Sequence, residues 1–176
     1  ETYSVYVSAS KSRKYIFISS QSTTTSEHRF ISSDQPEADF KIIQARNTGL
    51  EYNVAHFGEY FYLHTNFNGA TNFQIMRTGI DQTTTEFWEP LLPHREDVLI
   101  EDIELFDQYW VVNERVNGLS RLRIMGWDNT IDYYLPIEEE TYTLYISYNP
   151  EFKSTQLRYV FNSMTTPSSV IEFNME

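Results

Sequence analysis

The sequence predicts an all-β fold of repeated four-stranded antiparallel units, on three observations. Thirteen Tyr and 12 Phe among 176 residues, interleaved with Val, Ile and Thr, favour extended backbone. The apolar runs are short and end at turn residues: Ser10-Lys11-Ser12, Asn47-Thr48-Gly49, Asn68-Gly69, Asn117-Gly118, Asp128-Asn129 and Asn149-Pro150. The most aromatic runs, Tyr15–Ile18, Tyr60–Leu63, Tyr109–Val112 and Leu157–Val160, start 45, 49 and 48 residues apart.

Taken in order, the first unit comprises Val5–Ser8, Tyr15–Ile18, His28–Ile31 and Phe40–Ile43. The second comprises Tyr52–Ala55, Tyr60–Leu63, Asn72–Met76 and Trp88–Leu91. Ile100–Glu104, Tyr109–Val112, Arg121–Met125 and Ile131–Leu135 make the third, with Asn117-Gly118 as its hairpin turn. Thr143–Ser147, Leu157–Val160 and Ser169–Phe173 make the fourth, which runs out before a fourth strand. Glu96–Phe106 also carries Leu99, Ile103 and Phe106 at helical spacing, but the repeat register assigns it to a strand. Four strands per ~45 residues mark the blades of a β-propeller. The blades fall at approximately 3–46, 50–94, 97–137 and 141–176, a single partial β-propeller. Tyr60-Phe61-Tyr62-Leu63, apolar at both odd and even positions, fits a sheet buried on both faces.

Composition narrows the chemistry. With no cysteine there is no disulfide frame, thiol nucleophile or cysteine-ligated metal, which fits a reducing, cytoplasmic setting. A net charge of -12 disfavours nucleic acid as a partner and mildly favours cationic ligands. No run approaches the ~18 consecutive apolar residues of a membrane helix, so no membrane partner is expected. The opening Glu1-Thr2-Tyr3 and the closing Asn174-Met175-Glu176 read as the ends of a piece cut from a longer protein.

Candidate chemistry is thin. His28, His56, His64 and His94 form no helical zinc motif, and they read as histidines packed beside aromatics or capping loops. None of the six glycines frames a serine as in a nucleophile elbow, and no glycine-rich phosphate loop occurs. Glu101, Asp102, Glu104, Asp107 and the run Glu138-Glu139-Glu140 offer carboxylates for glycoside hydrolysis, though the last reads as a solvated acidic turn. Asp128 to Asp132 reads as a hairpin turn rather than a calcium loop. Arg95 and Glu114-Arg115 lie at blade edges, where surface ion pairing is the default, and the loop Thr165–Ser168 joins two strands with Pro167 fixing its exit. The sequence therefore assigns no catalytic, cofactor-binding, metal-ligating or substrate-binding residue in this chain, and no cofactor.

Five stretches in order, STTTSE (Ser22 to Glu27), EYNVAHFGEYFYLHTN (Glu51 to Asn66), HREDVLIEDIELF (His94 to Phe106), VVNERVNGLSRLRI (Val111 to Ile124) and the run from Asn149 to Met175, resemble the prolyl oligopeptidase family of serine peptidases, and within it oligopeptidase B, or protease II. The chain departs from the family pattern at Leu50-Glu51-Tyr52, Val54-Ala55-His56 and Asn113-Glu114-Arg115. The resemblance implies half of a seven-bladed ring: the later part of an N-terminal propeller that caps an α/β-hydrolase domain of the same parent chain. That domain carries the serine, aspartate and histidine. It implies short basic peptides, cut after Arg or Lys, as the parent's substrates, with the propeller gating access to them. The rival readings are a free-standing propeller that binds a peptide or protein, and a carboxylate-based glycosidase propeller. An excised part-ring exposes apolar blade faces and would self-associate.

Overall fold

A computed structural model describes residues 2–176. Among the described residues, fifteen strands lie in four antiparallel sheets, and the chain divides into two compact units, Glu1–Arg95 and Glu96–Glu176. The first unit holds β1 (Ser4–Ala9), β2 (Tyr15–Gln21), β3 (Ser26–Ser32) and β4 (Lys41–Gln44) as one sheet in that order. Its second sheet, again in chain order, is β5 (Tyr52–Phe57), β6 (Tyr60–Thr65), β7 (Gln74–Gly79) and β8 (Glu89–Leu92). The second unit holds β9 (Leu99–Leu105), β10 (Tyr109–Val116), β11 (Leu119–Gly126) and β12 (Asp132–Tyr134), then a three-stranded sheet of β13 (Tyr142–Ile146), β14 (Gln156–Ser163) and β15 (Ser169–Asn174). Each predicted strand has its counterpart, including the segment with helical spacing, which is β9. Successive strands pair with their chain neighbours throughout, the up-and-down order of a propeller blade.

Turn chemistry sets the register. Val116 and Leu119 face each other across Asn117-Gly118, where φ is 50° and 84°, the two positive values that a type I′ turn requires. Gly58, at φ 60°, closes β5 onto β6 in the same two-residue manner. Asn68-Gly69 turns the chain too, in a short 3-10 turn, Phe67–Gly69, within a longer loop that joins Thr65 to Gln74. Asp128-Asn129 does turn the chain, with Asp128 Oδ1 accepting from the Thr130 amide and hydroxyl at 3.0 and 2.7 Å.

Each unit has one core, formed where its two sheets meet. In the first, Phe17, Phe30 and Ile43 of one sheet pack with Tyr52, Phe61, Leu63, Met76 and Trp88 of the other. Phe61 is fully buried and meets Tyr15, Phe17 and Phe30 edge-to-face, with ring centroids at 5.3, 5.8 and 4.8 Å. In the second, Val111, Leu122 and Ile124 pack with Leu144, Leu157 and Phe161. Residues on both faces of β6 are buried, from Phe61 through Thr65, as its two-sided apolar pattern requires. By contrast β1 is exposed along its length, with Val5 and Val7 66% and 67% accessible.

Phe61→Ala should lower unfolding free energy by about 3–5 kcal/mol, because the surrounding rings cannot collapse into the space. Equilibrium urea denaturation measures it, and a loss below about 1 kcal/mol would show that the rings do not depend on Phe61.

Candidate functional site

A polar cluster of the second unit grows from one hairpin register. Glu114 on β10 faces Arg121 on β11, both equidistant from the Asn117-Gly118 turn. The Glu114 side chain is wholly buried, and its Oε2 accepts from Arg121 Nε and Nη2 at 3.1 and 3.0 Å and from the Tyr134 hydroxyl at 3.1 Å. Arg121 also lies over the Tyr134 ring, 4.1 Å from its centroid. Arg123 approaches Glu114 at 3.9 Å but spends its fork on Asp132, with two bonds of 2.7 Å. These bonds to the guanidinium hold the Asp132 carboxyl below the usual carboxylate range. A buried carboxylate so surrounded is neutralised and held still, a structural role.

Arg115, the residue after Glu114, turns the other way. Its Nε donates to Glu101 at 2.7 Å and its Nη1 to the Gly118 carbonyl at 3.1 Å. Glu101, Asp102, Asn113, Arg115 and Ser120, together with Tyr142 to Tyr145 of β13, line a cleft of about 370 Å³. Asp102 forms no ion pair here. Its Oδ1 accepts only from the neighbouring Ile103 amide, at 2.8 Å. Asp102 is exposed to solvent, but partial desolvation by the protein beside it, with the neighbouring Glu101 charge, pushes its carboxyl up from the ordinary value.

In the first unit the histidines serve packing. Ser19 Oγ lies 2.8 Å from His28 Nδ1, and His28 Nε2 lies 2.7 Å from the Tyr52 carbonyl oxygen. The Tyr52 hydroxyl accepts from the His28 amide and donates to the Gln44 carbonyl, so this pair ties the two sheets together. Burial raises the Tyr52 hydroxyl to about 12. Ser12 Oγ lies 2.7 Å from His56 Nδ1, the His56 ring packs on Tyr15 at 4.6 Å, and its Nε2 is buried without a partner. Burial first, then the nearby Lys14 charge, lowers His56 to about 4. His64 stacks on Phe73 at 4.6 Å, and the structure does not bring it together with His56. His94 borders a separate cleft of about 430 Å³ with Phe67 and Trp88.

Further sequence candidates take part in loop contacts. Glu139 accepts from the Thr165 and Thr166 hydroxyls at 3.1 Å each, so the acidic turn and the Thr165–Ser168 loop meet. The Arg95 carbonyl accepts from Asn72 Nδ2 at 3.1 Å. No group of three or more His, Cys, Asp or Glu side chains converges for a metal among the described residues. Among the same residues no helix is long and apolar enough to cross a membrane. Sequence reasoning missed the Glu114–Arg121 partnership, although counting outward from Asn117-Gly118 would have found it.

Sheets of this order, each strand paired with its chain neighbours, define a β-propeller domain. The family profile described as prolyl oligopeptidase, N-terminal beta-propeller domain, matches residues 1–176, and the chain belongs to that family. It is 39% identical to dipeptidyl aminopeptidase BI of Pseudoxanthomonas mexicana over 99% of its length, covering 24% of that protein. It is 26% identical to protease 2 of Moraxella lacunata over its whole length, covering 25% of that protein. Oligopeptidase B from Trypanosoma brucei, with covalently bound antipain in a closed form, superposes with a TM-score of 0.89 at 25% identity, over 98% of this chain and 26% of that one. The chain thus spans about a quarter of the length of the relatives it matches.

Glu114→Ala should cost about 2–4 kcal/mol, because Arg121 and Tyr134 lose their shared acceptor; urea denaturation reads it. A second expectation concerns acid. Unfolded His56 takes a proton below its ordinary 6.5, whereas the folded residue resists until about 4. Its contribution is therefore complete above pH 6.5 and lost as pH falls toward 4. Between pH 7 and 4.5 wild type should lose about 1–2 kcal/mol more than His56→Phe, after allowance for solvent screening. Parallel pH profiles of the two proteins would contradict this.

Proposed function

We propose that this chain is the non-catalytic propeller segment of an oligopeptidase B-like serine peptidase that cleaves short peptides after Arg or Lys. The observation that carries the reading is end-to-end likeness: one relative named protease 2 aligns along the entire chain, and a trypanosomal oligopeptidase B superposes over nearly all of it. In this reading the propeller acts sterically. Tightly packed sheets admit a short extended peptide, refuse a folded protein, and shield a hydrolase domain of the same parent chain from bulk water. Relief of that closure controls access, a reading supported by the antipain complex of the trypanosomal enzyme being a closed form. The net charge of -12 favours basic peptides, though salt screens it beyond ~8 Å. Lack of cysteine fits a cytoplasmic setting.

A second reading has its own observation. Identity to dipeptidyl aminopeptidase BI, at 39%, exceeds the 26% to protease 2, which favours a parent that removes dipeptides from a free amino terminus.

One experiment separates them. The full gene product is assayed with an amino-blocked Arg anilide and with a free-amino dipeptidyl anilide. Hydrolysis of the blocked substrate, lost when a downstream serine nucleophile is replaced, supports the endopeptidase reading. Turnover of the free-amino substrate alone supports the aminopeptidase. A gene product ending at Glu176, or hydrolysis by the purified 176-residue chain itself, overturns both.

A further inference from the structure

Among the described residues β1 is the one strand exposed at every position, and it has a neighbour, β2, on one side only. Ser10 continues that pairing opposite Tyr15, and its amide donates to the Tyr15 carbonyl at 2.8 Å. In an antiparallel ladder only alternate residues bond toward a given partner. Ser4, Tyr6 and Ser8 therefore turn their backbone groups toward β2, and Val5, Val7 and Ala9 present theirs at the open edge. Edge strands are ordinarily blunted by a charge, a proline or a bulge. The opposite edges of the three four-stranded sheets follow that rule, with Lys41 in β4, Pro90 in β8 and Asp132 in β12. None of these devices occurs in β1, whose register with β2 runs unbroken.

The strand is also self-complementary, since Ser4-Val5-Tyr6-Val7-Ser8 reads the same in both directions. We propose that two copies of this chain pair through β1, antiparallel about a two-fold axis at Tyr6, joining their first sheets edge to edge. Hydrogen-bond parity permits this register. Tyr6 meets its own counterpart as a non-hydrogen-bonded pair, and Val5 of each copy meets Val7 of the other as a hydrogen-bonded pair. A slip by one residue sets outward backbone groups against groups that point away. Axes at Val5 or Val7 satisfy the backbone, but only the axis at Tyr6 also sets valine against valine, Ser4 against Ser8, and two aromatic rings together. Val5 and Val7, 66% and 67% accessible, share one face and lose water there. Electrostatics favour the same edge. Each copy carries a net charge of -12, so two copies repel, and this uncharged strand is a place where their approach costs little. The symmetric contact matches a surface to itself, as a two-fold dimer requires. It lies in the first unit alone and does not depend on which peptidase the parent is.

The test is sedimentation equilibrium of the 176-residue chain between about 5 and 500 µM, the range suited to an interface of one strand per copy. The average mass should rise from one chain toward two and stop there. Val5→Lys with Val7→Lys sets like charges opposite each other and should weaken association about tenfold or more. Val5→Glu with Val7→Lys sets opposite charges in the same places and should restore it to within about threefold of wild type. Thermal unfolding of each variant establishes that the fold survives. Val170→Lys, on the exposed face of the last sheet, should associate as wild type does. A mass that stays at one chain, continued growth beyond two, equal weakening in the two charge variants, or loss of association in Val170→Lys would each overturn the proposal. The readout is mass, so it stands or falls separately from any hydrolysis assay.

Discussion

Face-to-face packing of neighbouring sheets is the constraint on which this structure depends. A four-stranded sheet alone has an apolar face and no partner for it, and two sheets that share one core solve the problem for each other. In the first unit the solution centres on Phe61, ringed by aromatics from the adjoining sheet. In the second it is aliphatic, with Val111, Leu122 and Ile124 against Leu144 and Leu157. The aromatic richness of the sequence thus has a local cause. Large flat side chains fill the space between twisted sheets with few rotamer choices.

Polar residues in such an interior must serve the packing or be served by something else. Tyr52 shows the first case: its hydroxyl and carbonyl satisfy the His28 amide and ring, so a hydrogen-bonded joint, rather than apolar contact alone, fixes one sheet on the other. Glu114 shows the same within a hairpin, where two arginines and a tyrosine make a buried carboxylate tolerable. Asn113 Oδ1 and His56 Nε2 belong to neither, each buried without a hydrogen-bond partner.

The division between sequence and tertiary structure follows from the range of the forces involved. Strand identity and blade period were legible because they rest on local rules: alternation, β-branched and aromatic content, and Asn-Gly where φ must be positive, as at Asn117-Gly118. Even β9, ambiguous by periodicity alone, was resolved by its place in the repeat. Asn68-Gly69 likewise has positive φ values and turns the chain, within a loop longer than a two-residue hairpin because the strands on either side end farther apart.

Which side chains meet was another matter. Glu114 precedes Arg115 in the chain, yet pairs with Arg121, because neighbours on a strand point apart and cross-strand partners do not. Ser12 and His56 lie 44 residues apart and meet only because two sheets stack. The bulge at Glu101 shifts the register by one residue and turns two acids toward one cleft, an effect no composition or spacing encodes. By itself the sequence determined the strands, their repeat and the family likeness. The convergence of Asp102 with an unpartnered Asn113 was decided by register and packing, which depend on the whole sheet at once.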